Sequence, residues 1–300
     1  MGINISTKKI KKKVNGYYSI IFENNEYLCK LKGILKREND KTACVTGDYV
    51  EFSPEELVIN KVIERKNLLQ RPLVSNIDYN IITFSAKNPN FDFDRFSMIL
   101  ANSFYYNIQP LIVINKSDLL TDIEQDILKK RLSFLQSMEL NTFFISTETK
   151  AGINELMEFI KEKTCALSGP SGAGKSSLSN ILQNEIVLEV GEISGKIERG
   201  KHTTKGASLL KLSCGGYIID TPGFSNIEIP KIDSNEEYIE LFPDILHLSK
   251  NCGFKDCKHI NEPNCHIKNL IKINEFSYER YEFYKKYYPN INMIKKYKNK

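Results

Sequence analysis

The chain has 300 residues, long enough for two or three compact domains each with its own core. Hydrophobic residues make up 41% and charged residues 26%, which excludes a wholly disordered or fibrous chain, and no run approaches the roughly 18 apolar residues of a membrane span. The formal net charge of +5 is mild, but the excess lysine gathers at the two ends.

At the first end Lys8, Lys9, Lys11, Lys12 and Lys13 stand together, with no acid among residues 1–13. They are not followed by the apolar run of a secretory signal, so a cytoplasmic protein without a membrane anchor is expected. From about residue 16 to 65 the pattern is one of short alternating runs: Tyr27, Cys29 and Leu31 on one face, Leu28, Lys30 and Lys32 on the other, with Val50 and Phe52 alternating with Tyr49 and Glu51. Four or five strands turning at Gly16, Gly33 and Gly47 predict a small closed barrel of the oligonucleotide-binding type over residues 1–72, although another small β-barrel fits the pattern almost as well.

After Pro72 the texture becomes that of an α/β domain with a mainly parallel sheet, expected over 73–233. Candidate strands lie at 80–84, 110–114, 142–145, 164–168 and 217–219. Leu120, Ile123, Ile127, Phe134 and Met138 recur near helical spacing behind a capping box of Thr121 and Glu124, and Ile153, Leu156, Met157 and Ile160 make a second stripe; both read as core-packing faces.

Four motifs punctuate this domain. Asn115, Lys116, Ser117 and Asp118 follow the strand-like run 111–114, where a parallel strand delivers residues to the ligand edge of a sheet. There the Asp118 carboxylate can accept from the N1–H and exocyclic amine of guanine, two donors that adenine does not present together. Gly169, Pro170, Ser171, Gly172, Ala173, Gly174, Lys175 and Ser176 satisfy the phosphate-loop pattern between a strand-like and a helix-like segment. Backbone N–H groups would wrap the phosphates, Lys175 would reach the β- and γ-phosphates, and Ser176 would ligate Mg²⁺. Gly200, Lys201, His202, Thr203 and Thr204 suit a switch loop able to close over Mg²⁺ and the γ-phosphate. Asp220, Thr221, Pro222 and Gly223 follow another strand end, offering a carboxylate to the Mg²⁺ shell and a glycine N–H to the γ-phosphate.

From about residue 234 the pattern is helical, interrupted by Cys252, Cys257, His259 and Cys265. Three thiolates and an imidazole are the soft tetrahedral set that Zn²⁺ prefers in closed structural sites; His266, beside Cys265, is the competing imidazole. The last twenty residues carry six lysines interleaved with Tyr281, Phe283, Tyr284, Tyr287, Tyr288 and Tyr297, a mixture that suits RNA or, more plainly, a solubilising tail.

The base-reading motif thus precedes the phosphate loop, with the switch motifs after both. This order, flanked by a barrel and a cysteine cluster, resembles the bacterial ribosome small-subunit-dependent GTPase A family, the circularly permuted GTPases of ribosome assembly. The resemblance covers essentially the whole chain. It implies that residues 169–177, including Ser177, bind phosphates, that 115–118 and Ser146 hold guanine, and that Ser176, Thr204 and Asp220 serve Mg²⁺. It favours His259 as the fourth zinc ligand. It further implies a monomer that binds GTP, GDP and the rRNA of the small ribosomal subunit, and assists late maturation by releasing assembly factors or checking the decoding region.

Two positions depart from the usual GTPase pattern. Ser146 is followed by Thr147 where Ser-Ala is usual, and Phe224 stands where a glutamine would orient the attacking water. Intrinsic hydrolysis is therefore expected to be slow; its stimulation by the subunit is what the resemblance implies. Lys175 and Thr204 are the expected catalytic groups, with His202 as a substitute for the glutamine; a solvated loop histidine is the plainer alternative. Two other readings compete: a phosphate-loop kinase or ATPase, which 115–118 disfavours, and a binding protein that uses GTP only to set its conformation.

Overall fold

A computed structural model of the chain describes residues 6–23, 25–35, 42–70, 72–184, 207–220, 230, 232 and 234–288. Strands β1 Ser6–Val14, β2 Tyr17–Phe22, β3 Asn25–Leu31, β4 Tyr49–Ser53 and β5 Val58–Val62 come first, then a short hairpin of β6 Leu68–Gln70 and β7 Leu73–Ser75. There follow β8 Tyr79–Ser85, α1 Phe93–Tyr105, β9 Gln109–Asn115, α2 Asp122–Arg131, β10 Thr142–Phe144, α3 Ile153–Phe159, β11 Thr164–Ser168 and α4 Lys175–Asn184. The remaining elements are β12 Ser208–Lys211, β13 Tyr217–Asp220, α5 Asn235–Glu240, α6 Pro243–Ser249, α7 His266–Lys272 and α8 Tyr278–Tyr287. They form two compact units: Met1–Asn80 with Asn154–Leu167 and Ser176–Phe224, and Ile81–Ile153 with Ser168–Lys175 and Ser225–Lys300. No helix among the described residues is long and apolar enough to cross a membrane.

In the first unit β1 to β5 close into a barrel. β1 pairs antiparallel with β2 and β4, β2 with β3, β4 with β5, and β3 runs parallel to β5, so every barrel strand has two neighbours. Asn15 and Gly16 make the two-residue turn between β1 and β2, both at positive φ, the conformation whose twist matches the flanking strands. Alternation then sorts the faces: Ile10, Ile20, Cys29, Val50, Phe52 and Ile59 are buried inside while Leu28 and Tyr49 face out. Asp48, wholly buried, is satisfied by Arg65 Nε and Nη2 at 2.7 and 2.8 Å, Val45 N at 2.8 Å and Ser75 Oγ at 2.5 Å. The basic N-terminal stretch is therefore a barrel strand, with Lys8 over the Phe22 ring and Lys13 over Tyr18. The barrel continues into the order β11-β13-β12-β1, with β11 parallel to β13.

In the second unit the order is β10-β9-β8, β9 and β10 parallel with Ile112 opposite Thr142. Asp92 caps α1, and Thr121 and Glu124 form the expected capping box on α2. The first helical stripe is only partly a core face: Ile123 and Ile127 are 74% and 62% exposed. The helix ends at Arg131, and a 3-10 segment, Ser133–Met138, resets the phase so that Phe134 and Leu135 point inward. The second stripe is buried throughout.

The C-terminal aromatics also depart from the surface reading. Tyr281, Phe283, Tyr284 and Tyr288 are buried in a core with Tyr238, Phe242, Ile245 and Ala101 of α1. Asp244 and Arg280, each fully buried, meet through bonds of 2.9 and 3.1 Å, with the guanidinium 4.5 Å over the Phe242 ring. Arg131 forks onto Glu279, and Lys286 pairs with Asp94. Residues 289–300, including Tyr297, lie outside the described residues.

Candidate nucleotide site and metal centre

β11 ends at Ser168 and α4 begins at Lys175, leaving a turn of six residues in which only glycine fits at two places. A Cβ on Gly169 (φ +132) would lie 1.9 Å from the Thr83 carbonyl oxygen, and one on Gly174 (φ +86) 2.1 Å from Asn115 Nδ2. The Lys175 ammonium turns back onto the loop, donating to the carbonyls of Gly169 and Pro170 at 2.8 and 2.6 Å. Burial, joined by the like charge of Arg95, pushes its pKa down, so an anion in the loop would be the better partner. Ser176 and Ser177 stand exposed in the first turn of α4, where backbone N–H groups have no helical acceptor.

Asn115, at the end of β9, is wholly buried. Its Oδ1 accepts from Lys116 N at 2.8 Å and Thr147 N at 3.1 Å, and its Nδ2 donates to the Ala173 carbonyl at 3.0 Å and Thr147 Oγ1 at 3.3 Å. Ser146 is equally buried, its oxygen accepting from Glu148 N and Thr149 N at 3.2 and 3.0 Å. Lys116 takes a left-handed backbone (φ 60), and its ammonium donates to the Asn88 carbonyl. Ser117 N bonds the Ile145 carbonyl at 3.0 Å, while Asp118 is exposed on a 3-10 turn. The second unit thus brings residues 115–118, 146–147 and 169–175 together.

The sequence reading missed the segment after β8. Ala86 N donates to the Asn115 carbonyl at 2.8 Å, and the Pro89 ring comes within 3.3 Å of where a Gly172 Cβ would stand. An Asn-Pro pair just beyond a strand end was the available signal, legible as a turn but not as a neighbour of the phosphate loop. Gly200, His202, Thr204, Gly223 and Phe224 lie outside the described residues, as does the side chain of Asp220 at the end of β13.

The four candidate zinc ligands meet around α8: the ligating atoms of Cys252, Cys257, His259 and Cys265 all lie within 4.8 Å of one another. His259 Nδ1 is 3.6 Å from Cys252 Sγ and 3.5 Å from Cys265 Sγ, against an edge of about 3.6 Å for a tetrahedron with the usual Zn–N and Zn–S bonds. His266 opens α7 and is not in the group. Tyr281 Oη donates to the His259 carbonyl at 2.8 Å, holding that residue at φ 62. Burial pushes the Cys257 thiol up to about 12 and the His259 imidazole down, so without a cation these two groups prefer to be neutral. Donor chemistry and spacing fit a tetrahedral Zn²⁺, which would hold the thiols as thiolates.

Family models describe the chain in two adjoining parts: RsgA N-terminal domain matches residues 8–58 and RsgA GTPase residues 62–230. A protein of Fusobacterium nucleatum named small ribosomal subunit biogenesis GTPase RsgA is 47% identical over 274 residues, 91% of this chain and 95% of that one. The protein of that name from Thermotoga maritima is 39% identical over 279 residues, 90% of each chain. Among solved structures, YjeQ from Thermotoga maritima superposes with a TM-score of 0.78 at 31% identity, covering 96% of this chain and 98% of that chain. YloQ, described as a circularly permuted GTPase, does so with 0.79 at 29% identity over 96% of each.

Proposed function

Because this chain belongs to the RsgA GTPase family, we propose that it hydrolyses GTP while bound to the small ribosomal subunit and assists that subunit's biogenesis, as a monomer in the cytoplasm. The observation that carries the reading is the 3.0 Å bond from the Asn115 amide to the Ala173 carbonyl, which ties the base-reading loop to the phosphate loop. A nucleotide that fills one loop then sits in register with the other.

In this reading Asp118 accepts from the guanine N1–H and amine, and residues 169–177 cradle the phosphates with their N–H groups. Lys175 exchanges its carbonyl partners for β- and γ-phosphate oxygens, and Ser176, Thr204 and Asp220 serve the Mg²⁺ that a GTP hydrolase uses. His202 orients the water in place of the glutamine that Phe224 replaces, within a switch completed on the subunit. Residues 1–72 present RNA-binding surface and 234–300 carry a structural Zn²⁺ on Cys252, Cys257, His259 and Cys265. The C-terminal helices share a core with α1, so a nucleotide-driven change would carry them together with the base-reading half.

The test is a hydrolysis assay on the full chain with purified small or large ribosomal subunits, paired with co-sedimentation in GDP and in a non-hydrolysable GTP analogue. Small subunits are expected to raise turnover at least tenfold, roughly 1.4 kcal/mol or more off the barrier, and to retain the analogue form better than the GDP form. Equal rates with both subunits, together with binding indifferent to nucleotide, would refute the ribosomal role. With small subunits present, His202→Ala is expected to lower turnover far more than GTP affinity, and unchanged turnover would remove His202 from the mechanism.

A further inference from the structure

The Asn115 carboxamide has no hydrogen-bonding capacity left for a ligand. Its orientation is fixed by chemistry: Oδ1 faces two backbone N–H donors, Lys116 N and Thr147 N, which an amide flipped by 180° would meet with its own NH₂. Its two N–H bonds go to the Ala173 carbonyl and to Thr147 Oγ1. The Thr147 N–H is committed as well. What remains is the Thr147 hydroxyl hydrogen, which the described contacts give to no protein acceptor. The oxygen already accepts from Asn115, so the hydroxyl is polarised to donate. Thr147 is half-buried, unlike Asn115 and Ser146, and its Oγ1 stands 3.9 Å from where a Gly174 Cβ would be.

We propose that Thr147 is the residue that reads the imidazole edge of the bound purine, its hydroxyl donating to N7 while Asn115 acts behind it as a positioning residue. The inference rests on the base-loop reading above. If Asp118 takes the N1–H and amine edge, the opposite edge of the base belongs to the ring that carries the ribose and phosphates. That edge lies toward the phosphate loop, which is the side Thr147 occupies. Where an alanine would leave the second N–H of Asn115 free to reach N7 itself, Thr147 interposes an oxygen and passes the contact on through its own hydrogen.

The experiment measures affinity of the full chain for GDP, 7-deaza-GDP, which has a C–H in place of N7, and ADP, in the wild type and in Thr147→Val, Thr147→Ala and Thr147→Ser. The wild type is expected to prefer GDP over 7-deaza-GDP by about tenfold, the worth of one hydrogen bond in a site built for it. Val, whose methyl keeps the hydroxyl's place in front of Asn115, is expected to bring that ratio to about one, and Ser to restore it; Ala, which frees the second Asn115 N–H, is expected to keep part of the ratio. A wild-type ratio near one, a ratio that survives undiminished in Val, or a Ser variant that fails to restore what Val loses would each overturn the assignment. If the wild type fails to prefer GDP over ADP, the base-loop reading itself is lost; if it keeps that preference while the deaza ratio does not move, only Thr147 is wrong.

Discussion

The two ends of the chain are written in nearly the same alphabet of lysine, tyrosine and phenylalanine, and the fold uses them in opposite ways. On β1 and its neighbours the rings of Phe22, Tyr49, Tyr18 and Tyr17 receive Lys8, Lys9, Lys13 and Lys30 at 4.7 to 5.3 Å, placing charge and π-face together at the barrel wall. On α8 Tyr281, Phe283 and Tyr284 are buried in the core, while Lys285 and Lys286, each 5.3 Å over a ring of the same helix, pair with Glu282 and Asp94. Cation and ring meet in both places; what differs is that the helix of period 3.6 turns a face of Tyr281, Phe283 and Tyr284 into the core. Composition alone therefore says little about whether a basic aromatic segment is surface or core.

Metal removal should break this contrast most completely. Cys257, Cys265 and the α8 aromatics share one core, and structural zinc contributes folding free energy on the order of 10 kcal/mol in small metal-bound modules. Protein purified without chelator is expected to carry one Zn²⁺ per chain by elemental analysis. Stripping it should abolish the near-ultraviolet signal of the C-terminal tyrosines while β1 to β5 keep their amide-exchange protection. Finding no zinc, or no change at the C-terminal end on stripping, would contradict the shared core.

Core truncations come next. Phe283→Ala removes a ring that is 1% exposed and should cost about 3–5 kcal/mol in urea unfolding. Arg280→Met strands the buried Asp244 carboxylate and should cost a similar amount, roughly 3–5 kcal/mol, most of it recovered when Asp244→Leu is added. A loss within about 0.5 kcal/mol for either single variant would return α8 to the surface. Deleting residues 281–300 is thus no clean probe of RNA binding, since it removes this core as well.

The smallest effect belongs to the barrel wall. Lys8→Ala and Lys13→Ala should each change stability by no more than about 1 kcal/mol, the range of an exposed cation–ring pair. Each should nevertheless flatten the salt dependence of binding to single-stranded RNA by roughly 0.7 in the log–log slope. A stability loss as large as that of Phe283→Ala, with an unaltered salt slope, would make β1 structural only.

The residues that touch phosphate or base in the proposed reading were legible because each motif couples a strand end to a fixed backbone shape. Gly169 and Gly174 have no room for a side chain, and the strands expected before 115, 169 and 220 are present as β9, β11 and β13. The barrel was legible through alternation at Cys29, Leu31, Val50 and Phe52. Less could be read where an answer depends on a distant partner. Ile123 and Ile127 keep helical spacing but face solvent, since the 3-10 segment after Arg131 supplies the core residues. Tyr281 and Tyr284 looked like surface because the core that receives them is assembled from α5, α6 and α7 together with Ala101 of α1, which lies well over a hundred positions earlier. Asn115 sits in the expected loop, yet spends its whole amide on the protein, which a four-residue string has no means of declaring.

One further consequence follows from the position of β1. It closes the barrel against β4, and beyond that it lies beside β12, with Lys12 opposite Ser208 and Lys9 Nζ donating to Thr164 Oγ1 at 2.5 Å. A chain cut near residue 72 would strip β12 of the strand that covers this side. The bare strand edge left behind is a template for pairing with a neighbouring molecule, so a barrel-less fragment should be troubled less by unfolding than by edge-to-edge aggregation. The barrel would then act as the plug that keeps the rest of the sheet from polymerising.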